Sequence, residues 1–587
     1  MKPAFLLSRR ACVIIAIAAA GLTAGTILTG CKTTPQKTEQ QKEEISIADL
    51  VPPVPITPDT LNIDLEKYQF RATWVSTINN LDFTRAESGE SFISNFINVL
   101  NTCETFNLNA VIFQVSPMLD AYWPSQHRPW SQFLLSNGRQ GTGPAGWDPL
   151  SIMVEETHKH GMEFHAWMNP YRVTASQHTA AQDADIQALI AALNADELLS
   201  DDNFAVLNPA FVYSYDRKLY LDAGYPEVRQ HVIDTVAEII KNYDVDAIHF
   251  DDYFYPYNAS GSAYDQETFD LYRGDFTDRY EWRRNNNDLL IRGVKDAIAA
   301  ENQASGRAIQ FGVSPFGIWA NSRIPGGSAT SGNQTYTGGV YADTRKWILE
   351  EMVDYMCPQI YWYIGQPGAD YSVLAPWWAN LVENKNVHLY IGHANYKYTH
   401  PGFMWPNAGE ILNQILLNEA IPEIRGSSFF SYTYMNVTAE TGAGTPVLIA
   451  SNNLLKDHWN YQTTIPPKPW LDSIAPDAPK NPVRQIGGNT ITWTDTEGSN
   501  SRYYAVYRVT TETLTGGSYT PADVINDPTK IIGKVWRIGA QPYLFIDTTT
   551  QYPGEYTYIV TAFNAAHVES EPVVVVKNEG SRNGNSR

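Results

Sequence analysis

From Phe70 to about Lys456, short apolar runs alternate with amphipathic helical stretches, and this alternation restricts the chain to an α/β fold with parallel strands. The candidate strands are Arg71–Ser76, Ala110–Val115, Met162–Met168, Asp246–Asp251, Ile309–Ser314, Tyr355–Tyr361, His388–His393 and Ser427–Ser431. Between them lie segments such as Glu227–Tyr243, in which Val228, Val232, Val236, Ile239 and Tyr243 recur at helical spacing. Eight such units predict a (β/α)₈ TIM-type barrel with long loops. A doubly wound open sheet is the alternative. No glycine-rich phosphate loop follows an early strand, and polar residues recur at C-terminal strand ends; both points favour the barrel.

After Ile465-Pro466-Pro467 and Ala475-Pro476-Asp477-Ala478-Pro479 the pattern changes to short alternating strands: Ile491–Trp493, Tyr504–Arg508 and Tyr556–Phe563. This spacing predicts an all-β, immunoglobulin-like sandwich. Trp493 in an early strand and Tyr556-Thr557-Tyr558 before Ala562-Phe563-Asn564 resemble a fibronectin type III module, which would act as a spacer or binding domain. The expected organisation is therefore a leader over 1–30, a tether over 31–66, the barrel over 67–465, the sandwich over 474–577 and a disordered tail over 578–587.

At the other end, Lys2, Arg9 and Arg10 precede an apolar run from Ala11 to Ala20 that thins into Leu28-Thr29-Gly30-Cys31. The run reads as a signal peptide rather than a membrane span. Its end resembles a bacterial lipobox, which implies an acylated Cys31 and a protein held at the cell envelope by its lipid. Lys32, with no Asp after the cysteine, favours the outer membrane in a cell with two. The tether is rich in Lys, Gln, Glu, Thr and Pro, and about 35 such residues reach roughly 30 to 35 Å. Cys12 leaves with the leader, so Cys103 and Cys357 are the thiols of the folded part; they provide neither a disulfide framework nor a metal cluster and read as buried structural groups. A formal charge of -21 argues against nucleic acid as partner, while 16 Trp and 34 Tyr are compatible with stacking on sugars.

The segment most informative about chemistry is Asp246-Ala247-Ile248-His249-Phe250-Asp251-Asp252-Tyr253, a buried strand that ends in two carboxylates followed by aromatics. Alternation puts Ala247, His249 and Asp251 on one face and Ile248 and Phe250 on the other, so Asp251 faces the barrel mouth if the apolar pair meets the helices. Paired carboxylates at a mouth suit glycoside hydrolysis: one protonates the leaving oxygen while the other stabilises or attacks the anomeric carbon. Proximity keeps one of them protonated near neutrality. A divalent-cation site or a cap on the following segment are the competing readings, and no further oxygen ligand stands near in sequence.

A second cluster runs Glu163-Phe164-His165-Ala166-Trp167-Met168-Asn169-Pro170-Tyr171-Arg172. Here Glu163, His165, Trp167 and Asn169 share a face, and Asn169, Tyr171 and Arg172 are expected at the mouth. Trp167 would form a wall, and His165 could join His249 in one polar layer. Gln114, Ser116, Ser314, Trp319, Gln359, Tyr361, Trp362, His393 and Asn395 repeat the theme at other strand ends. Trp319, Trp362 and Tyr253 are candidate sugar-contacting aromatics, and Gln359 and Tyr361 candidate polar contacts. No serine nucleophile elbow, HExxH or Walker A sequence occurs, and no metal or cofactor is called for.

These motifs, together with Arg71-Ala72-Thr73-Trp74-Val75, Trp282-Arg283-Arg284, Phe311-Gly312-Val313-Ser314-Pro315-Phe316-Gly317-Ile318-Trp319 and Tyr355-Met356-Cys357-Pro358-Gln359-Ile360-Tyr361-Trp362, resemble the glycosyl-hydrolase-like family 10 barrels of bacterial envelopes. Ala72 and Ala247 stand where a glycine would be usual. The resemblance implies a (β/α)₈ barrel hydrolysing glycan, with peptidoglycan stripped of its stem peptides as the substrate known for some relatives; the chain is expected to be a monomer. Tandem carboxylates at this place are also similar to those of hexosaminidases in which the substrate's acetamido oxygen attacks. That likeness gives Asp251 an orienting or charge-stabilising role and Asp252 general acid/base duty, with Tyr361 and Asn169 assisting; direct attack by Asp251 is the rival. Hydrolysis of another surface or dietary polysaccharide, or carbohydrate binding without turnover, uses the same residues.

Overall fold

Eight parallel strands close into a barrel in chain order: β1 (Phe70–Val75), β2 (Ala110–Ser116), β3 (Glu163–Met168), β4 (Ala247–Phe250), β5 (Gln310–Val313), β6 (Tyr355–Met356), β7 (His388–Ala394) and β8 (Ile424–Phe430). The closure of β8 onto β1 excludes the open sheet. The computed structural model describes residues 65–178, 185–259, 261, 263–400, 405, 407–437, 445–485, 488–517, 519–550 and 553–578. The leader, Cys31 and most of the tether lie outside the described residues, as does the tail beyond Asn578.

A helix follows each strand: α1 (Gly89–Thr105), α2 (Pro149–Lys159), α3 (Pro226–Asn242), α4 (Arg279–Ser305), α5 (Thr344–Leu349), α6 (Tyr371–Val382), α7 (Glu410–Glu419) and α8 (Pro446–His458). Local chemistry sets their ends. Ser88 caps α1 through a reciprocal pair with Ser91, Asp148 accepts from the first amides of α2, and Gly306 takes the left-handed conformation that ends α4. On α3 the predicted stripe of Val228, Val232, Val236 and Ile239 is fully buried against the sheet.

Seven strands fall within a few residues of their predicted places, but β6 is much shorter than the expected Tyr355–Tyr361. Pro358 has no N–H to give to the ladder, so regular pairing stops at Met356 and resumes only as isolated bridges from Gln359 to Phe316 and Gly392. The outward faces of the strands join the helices in one apolar core that includes Ile248, Phe250, Phe311 and Val313. The inward faces form a second cluster with Phe70, Trp74, Trp167, Ala247, Tyr355 and Tyr390, closed from below by Ile465. Cys103 and Cys357 are free and buried, as expected.

Beyond the barrel, two four-stranded sheets form the all-β part. One has the order β13 (Tyr543–Ile546), β10 (Thr490–Thr494), β9 (Lys480–Arg484), β16 (Val576–Lys577); the other has β12 (Ile531–Trp536), β11 (Ser501–Thr510), β14 (Tyr556–Asn564), β15 (Val573–Val574). The second sheet sits against the N-terminal ends of the barrel strands. His158 of α2 stacks on Trp536 at 5.0 Å, Trp536 on Tyr503 at 4.8 Å, and Tyr503 on Phe563 at 4.7 Å, so a single aromatic stack crosses from barrel to sandwich. Charges accompany it. Arg502 donates to Asp244 at 2.6 Å and to Asp246 at 3.0 Å, while the other oxygen of Asp246 lies 2.8 Å from His158 Nε2. Buried Asp354 accepts from Lys295 at 2.6 Å and from Trp470 of the connecting segment at 3.0 Å. Lys67, just before β1, pairs with Glu569.

Asp246 is buried and Asp244 half exposed, so the two halves of the Arg502 fork differ in worth. Replacing Arg502 by Met leaves Asp246 short of its fixed cation and should cost about 3 kcal/mol, whereas Asp244→Asn should cost less than about 1 kcal/mol. Urea unfolding followed by tryptophan fluorescence reads both; equal losses would contradict the difference in burial.

Candidate active site

At the opposite end of the barrel, β4 delivers Asp251 and Asp252 to the mouth, and an amide relay holds the first. Gln114, from the end of β2, accepts at Oε1 from the Ser76 hydroxyl and from the Thr77 and Ile78 amides at 3.0 to 3.1 Å. Its Nε2 donates to Asn169 Oδ1 at 2.7 Å. Asn169 then turns its Nδ2 to both Asp251 oxygens, each at 2.8 Å, and the Tyr253 amide donates to Oδ1 at 3.1 Å. Asp251 is only 4% exposed. Asp252 is partly exposed and accepts from the Tyr257 hydroxyl.

Burial and the neighbouring Asp252 charge push the Asp251 carboxyl up to about 7, against the opposing pull of Arg172 and Asn169. Burial raises Asp252 as well, opposed by its hydrogen bonds to Tyr257 and Gln359. The two titrate as a unit, so the pair retains a proton close to neutrality. The Arg172 charge pulls both carboxyls down; its guanidinium lies 4.2 Å from the Tyr253 ring centroid and donates to the Pro117 carbonyl at 3.3 Å.

Asn169, Arg172, Tyr253, Gln359, Tyr361 and Trp362 gather around the acid pair or at the adjoining strand ends. Gln359 Nε2 donates to the Ser314 carbonyl at 2.9 Å. Tyr361 meets Tyr396 edge-on at 6.1 Å, and Trp362 meets Phe316 edge-on at 5.3 Å; Tyr361 and Trp362 are partly exposed. Lys397 donates to the Tyr361 carbonyl, and burial brings its ammonium down to about 8.

Other expected contacts lie elsewhere. His165 and His249 do form one polar layer, but it is inside the barrel, where both are fully buried and bonded to Tyr355 at 2.8 Å. Trp167 belongs to the same inner cluster and is 4% exposed. Tyr171 is buried in the outer apolar core, because strand alternation no longer applies beyond Pro170. Trp319 is buried too, donating to Asp343 at 2.8 Å and stacked with Trp377 at 6.1 Å. Sequence reasoning missed Tyr257, Phe316 and Tyr396 as mouth residues. Tyr257 carried a usable signal, since it closes the aromatic run that begins directly after the tandem aspartates.

A closed parallel barrel with adjacent carboxyls, both raised by burial, at its C-terminal mouth, ringed by tyrosine and tryptophan, defines a glycoside hydrolase of TIM-barrel type. The chain belongs to the glycosyl hydrolase-like 10 family, whose profile matches residues 69–406. Glycosyl hydrolase YngK of Bacillus subtilis strain 168 is 35% identical over 517 residues, covering 86% of this chain and 92% of that protein. Glycosyl hydrolase DigH of Escherichia coli K12 is 35% identical over 454 residues, covering 73% of this chain and 93% of that protein. Among solved structures, the glycoside hydrolase domain of PgaB (BpsB) from Bordetella bronchiseptica aligns with 67% of this chain and 99% of that chain, at 10% identity and a TM-score of 0.40.

Because folding raises the Asp251 carboxyl, its contribution to stability is full below the unfolded value and is lost as pH rises through about 7. Wild-type protein should therefore melt lower at about pH 8 than at about pH 6, and Asp251→Asn should narrow that gap. Differential scanning calorimetry at the two pH values checks this; an unchanged gap in the variant would remove Asp251 as its source.

Proposed function

We propose that this glycoside hydrolase cleaves N-acetylated glycan, with peptide-free peptidoglycan strands as its substrate, while held at the cell envelope by lipid on Cys31. The observation that carries the chemistry is the Asp251–Asp252 pair, two carboxyls with a retained proton beside one partly exposed edge. Asp252, the more open of the two, meets the glycosidic oxygen and delivers to it the one proton that the pair retains, which leaves Asp251 as the carboxylate. Asp251, gripped by Asn169, orients the acetamido group of the sugar or stabilises the positive charge that develops at the anomeric carbon. Arg172, Tyr253, Gln359, Tyr361 and Trp362 bind the sugars on either side of the cut.

The N-acetyl preference and the anchor rest on the sequence. Tandem carboxylates resemble those of enzymes that use the substrate's own acetamido oxygen, and Leu28-Thr29-Gly30-Cys31 resembles a lipobox. A net charge of -21 disfavours a densely charged polyanion such as nucleic acid as the substrate.

Purified protein incubated with peptide-free glycan strands, intact peptidoglycan and other polysaccharides, with products read by mass spectrometry, tests the substrate. Cleavage confined to a polysaccharide without N-acetyl sugars would overturn the reading. Asp251→Asn and Asp252→Asn should each lower kcat by about 10² to 10⁴-fold. Wild-type kcat should fall as pH rises through about 7, where the pair gives up its proton. Cys31→Ser should move the protein from the detergent phase to the aqueous phase in a detergent partition; no change would remove the anchor.

A further inference from the structure

A hydrogen-bond chain runs through the barrel interior from the sandwich towards the mouth. At its base, Glu163 Oε1 lies 2.7 Å from Nε2 of His567, which belongs to the turn after β14, and 2.9 Å from Gln310 Nε2. Its other oxygen lies 2.9 Å from His165 Nε2. His165 Nδ1 and His249 Nδ1 each lie 2.8 Å from the Tyr355 hydroxyl. His249 Nε2 completes the chain, 2.8 Å from the Ser314 hydroxyl and 3.2 Å from Trp74 Nε1.

The two ends settle where the protons are. An indole N–H can only donate, so His249 Nε2 accepts and the ring proton sits on Nδ1. His249 then donates to the Tyr355 oxygen, leaving the Tyr355 hydroxyl proton for His165 Nδ1. His165 in turn carries its proton on Nε2 and donates to the Glu163 carboxylate. Running the chain the other way would set two donors against each other at Trp74 and would require a protonated Glu163.

The surroundings agree with this order. Burial and the nearby His165 hold His249 well below the ordinary imidazole range, so it is neutral. Burial pushes Glu163 up, but His567, Lys468 and the hydrogen bonds from the imidazoles outweigh it and keep the carboxylate ionised. Room for the chain comes from Gly312, in register between His249 and Tyr355, where an added Cβ would lie 1.9 Å from the tyrosine ring.

The upper end of the chain reaches the acid pair by two routes. His249 stands two residues before Asp251 on the same strand face. Ser314, which holds His249 through its hydroxyl, accepts Gln359 through its carbonyl, and Gln359 flanks Asp252.

We propose that His567 of the C-terminal sandwich is a positioning residue for glycoside hydrolysis: by donating to Glu163 it holds Glu163, His165, Tyr355 and His249 in one proton order, which fixes the strand end carrying Asp251 and the Gln359 amide beside Asp252. This inference rests on Asp251 and Asp252 being the acting pair. The sandwich is accordingly part of the catalytic body and not a detachable spacer.

Selective ¹⁵N-histidine labelling of the full chain tests the order directly: His249 should show the Nδ1–H tautomer and His165 the Nε2–H tautomer, and the opposite assignment in either ring overturns the proposal. In kinetics on glycan strands, His567→Leu should lower kcat about tenfold with KM changed less than about twofold, the size expected for losing one charge-assisted hydrogen bond. His567→Gln, which still offers an N–H, should recover most of the loss; equal kcat in the Leu variant and wild type, or no recovery with Gln, overturns it. Should His567→Leu fail to fold, Tyr355→Phe, which deletes only the hydroxyl joining the two rings, carries the same kinetic expectation and the same refutation. Full activity of Asp252→Asn with both tautomers as assigned would refute the acting pair while leaving the proton order standing.

Discussion

A carboxylate buried in a barrel must be met by donors or by opposite charge, because an isolated ion there costs several kcal/mol. Glu163 at the start of β3 imposes that requirement, and much of the architecture answers it. One donor comes from β5 as Gln310, one from β3 itself as His165, and one from the sandwich as His567. Asp246 and Asp354, before β4 and β6, repeat the arrangement with Arg502 and Trp470. Three acidic groups at the base are thus completed by residues beyond Ile465, which explains why the sandwich is seated under the barrel and why the aromatic stack from His158 to Phe563 is continuous.

The two ends of the barrel treat the same residue type in opposite ways. At the base, Glu163 and Asp246 meet imidazole, ammonium or guanidinium groups, and their carboxyls are held down. At the mouth, Asp251 and Asp252 receive amides and a phenol, and burial wins over the opposing Arg172 charge. The base therefore has fixed charge and the mouth has an exchangeable proton. Separating them along one axis lets a charged docking surface and a carboxyl pair that holds a proton coexist without neutralising each other.

How much of this could be read from the sequence follows the range of the interactions. Alternation along a strand is local, so the inward placement of His165, His249 and Asp251 and the outward placement of Ile248 and Phe250 follow from residue spacing. The rule ends where the strand ends. Tyr171, one residue past Pro170, goes into the outer core, and Trp319, in the loop after β5, pairs with Asp343 and not with the cleft. The early end of β6 at Met356 was foreseeable from Pro358, whose missing N–H is a local property. Contacts between residues hundreds of positions apart left no mark: nothing near Glu163 announces His567, and a sandwich after two proline-rich stretches reads as a spacer.

Lys67 grips Glu569 immediately before the chain enters β1, and Tyr68 donates to the same carboxylate at 3.0 Å. The Gln69 amide is bonded to the Thr464 carbonyl at 2.9 Å, which ties the entry of the barrel to its exit. A pull on the chain ahead of Leu65 is thus taken up at the base, shared between sandwich, linker and first strand, before any of it can reach the carboxylate pair. Mechanically, a load entering ahead of the first strand is met at the foot of the barrel, the end opposite the carboxylate pair.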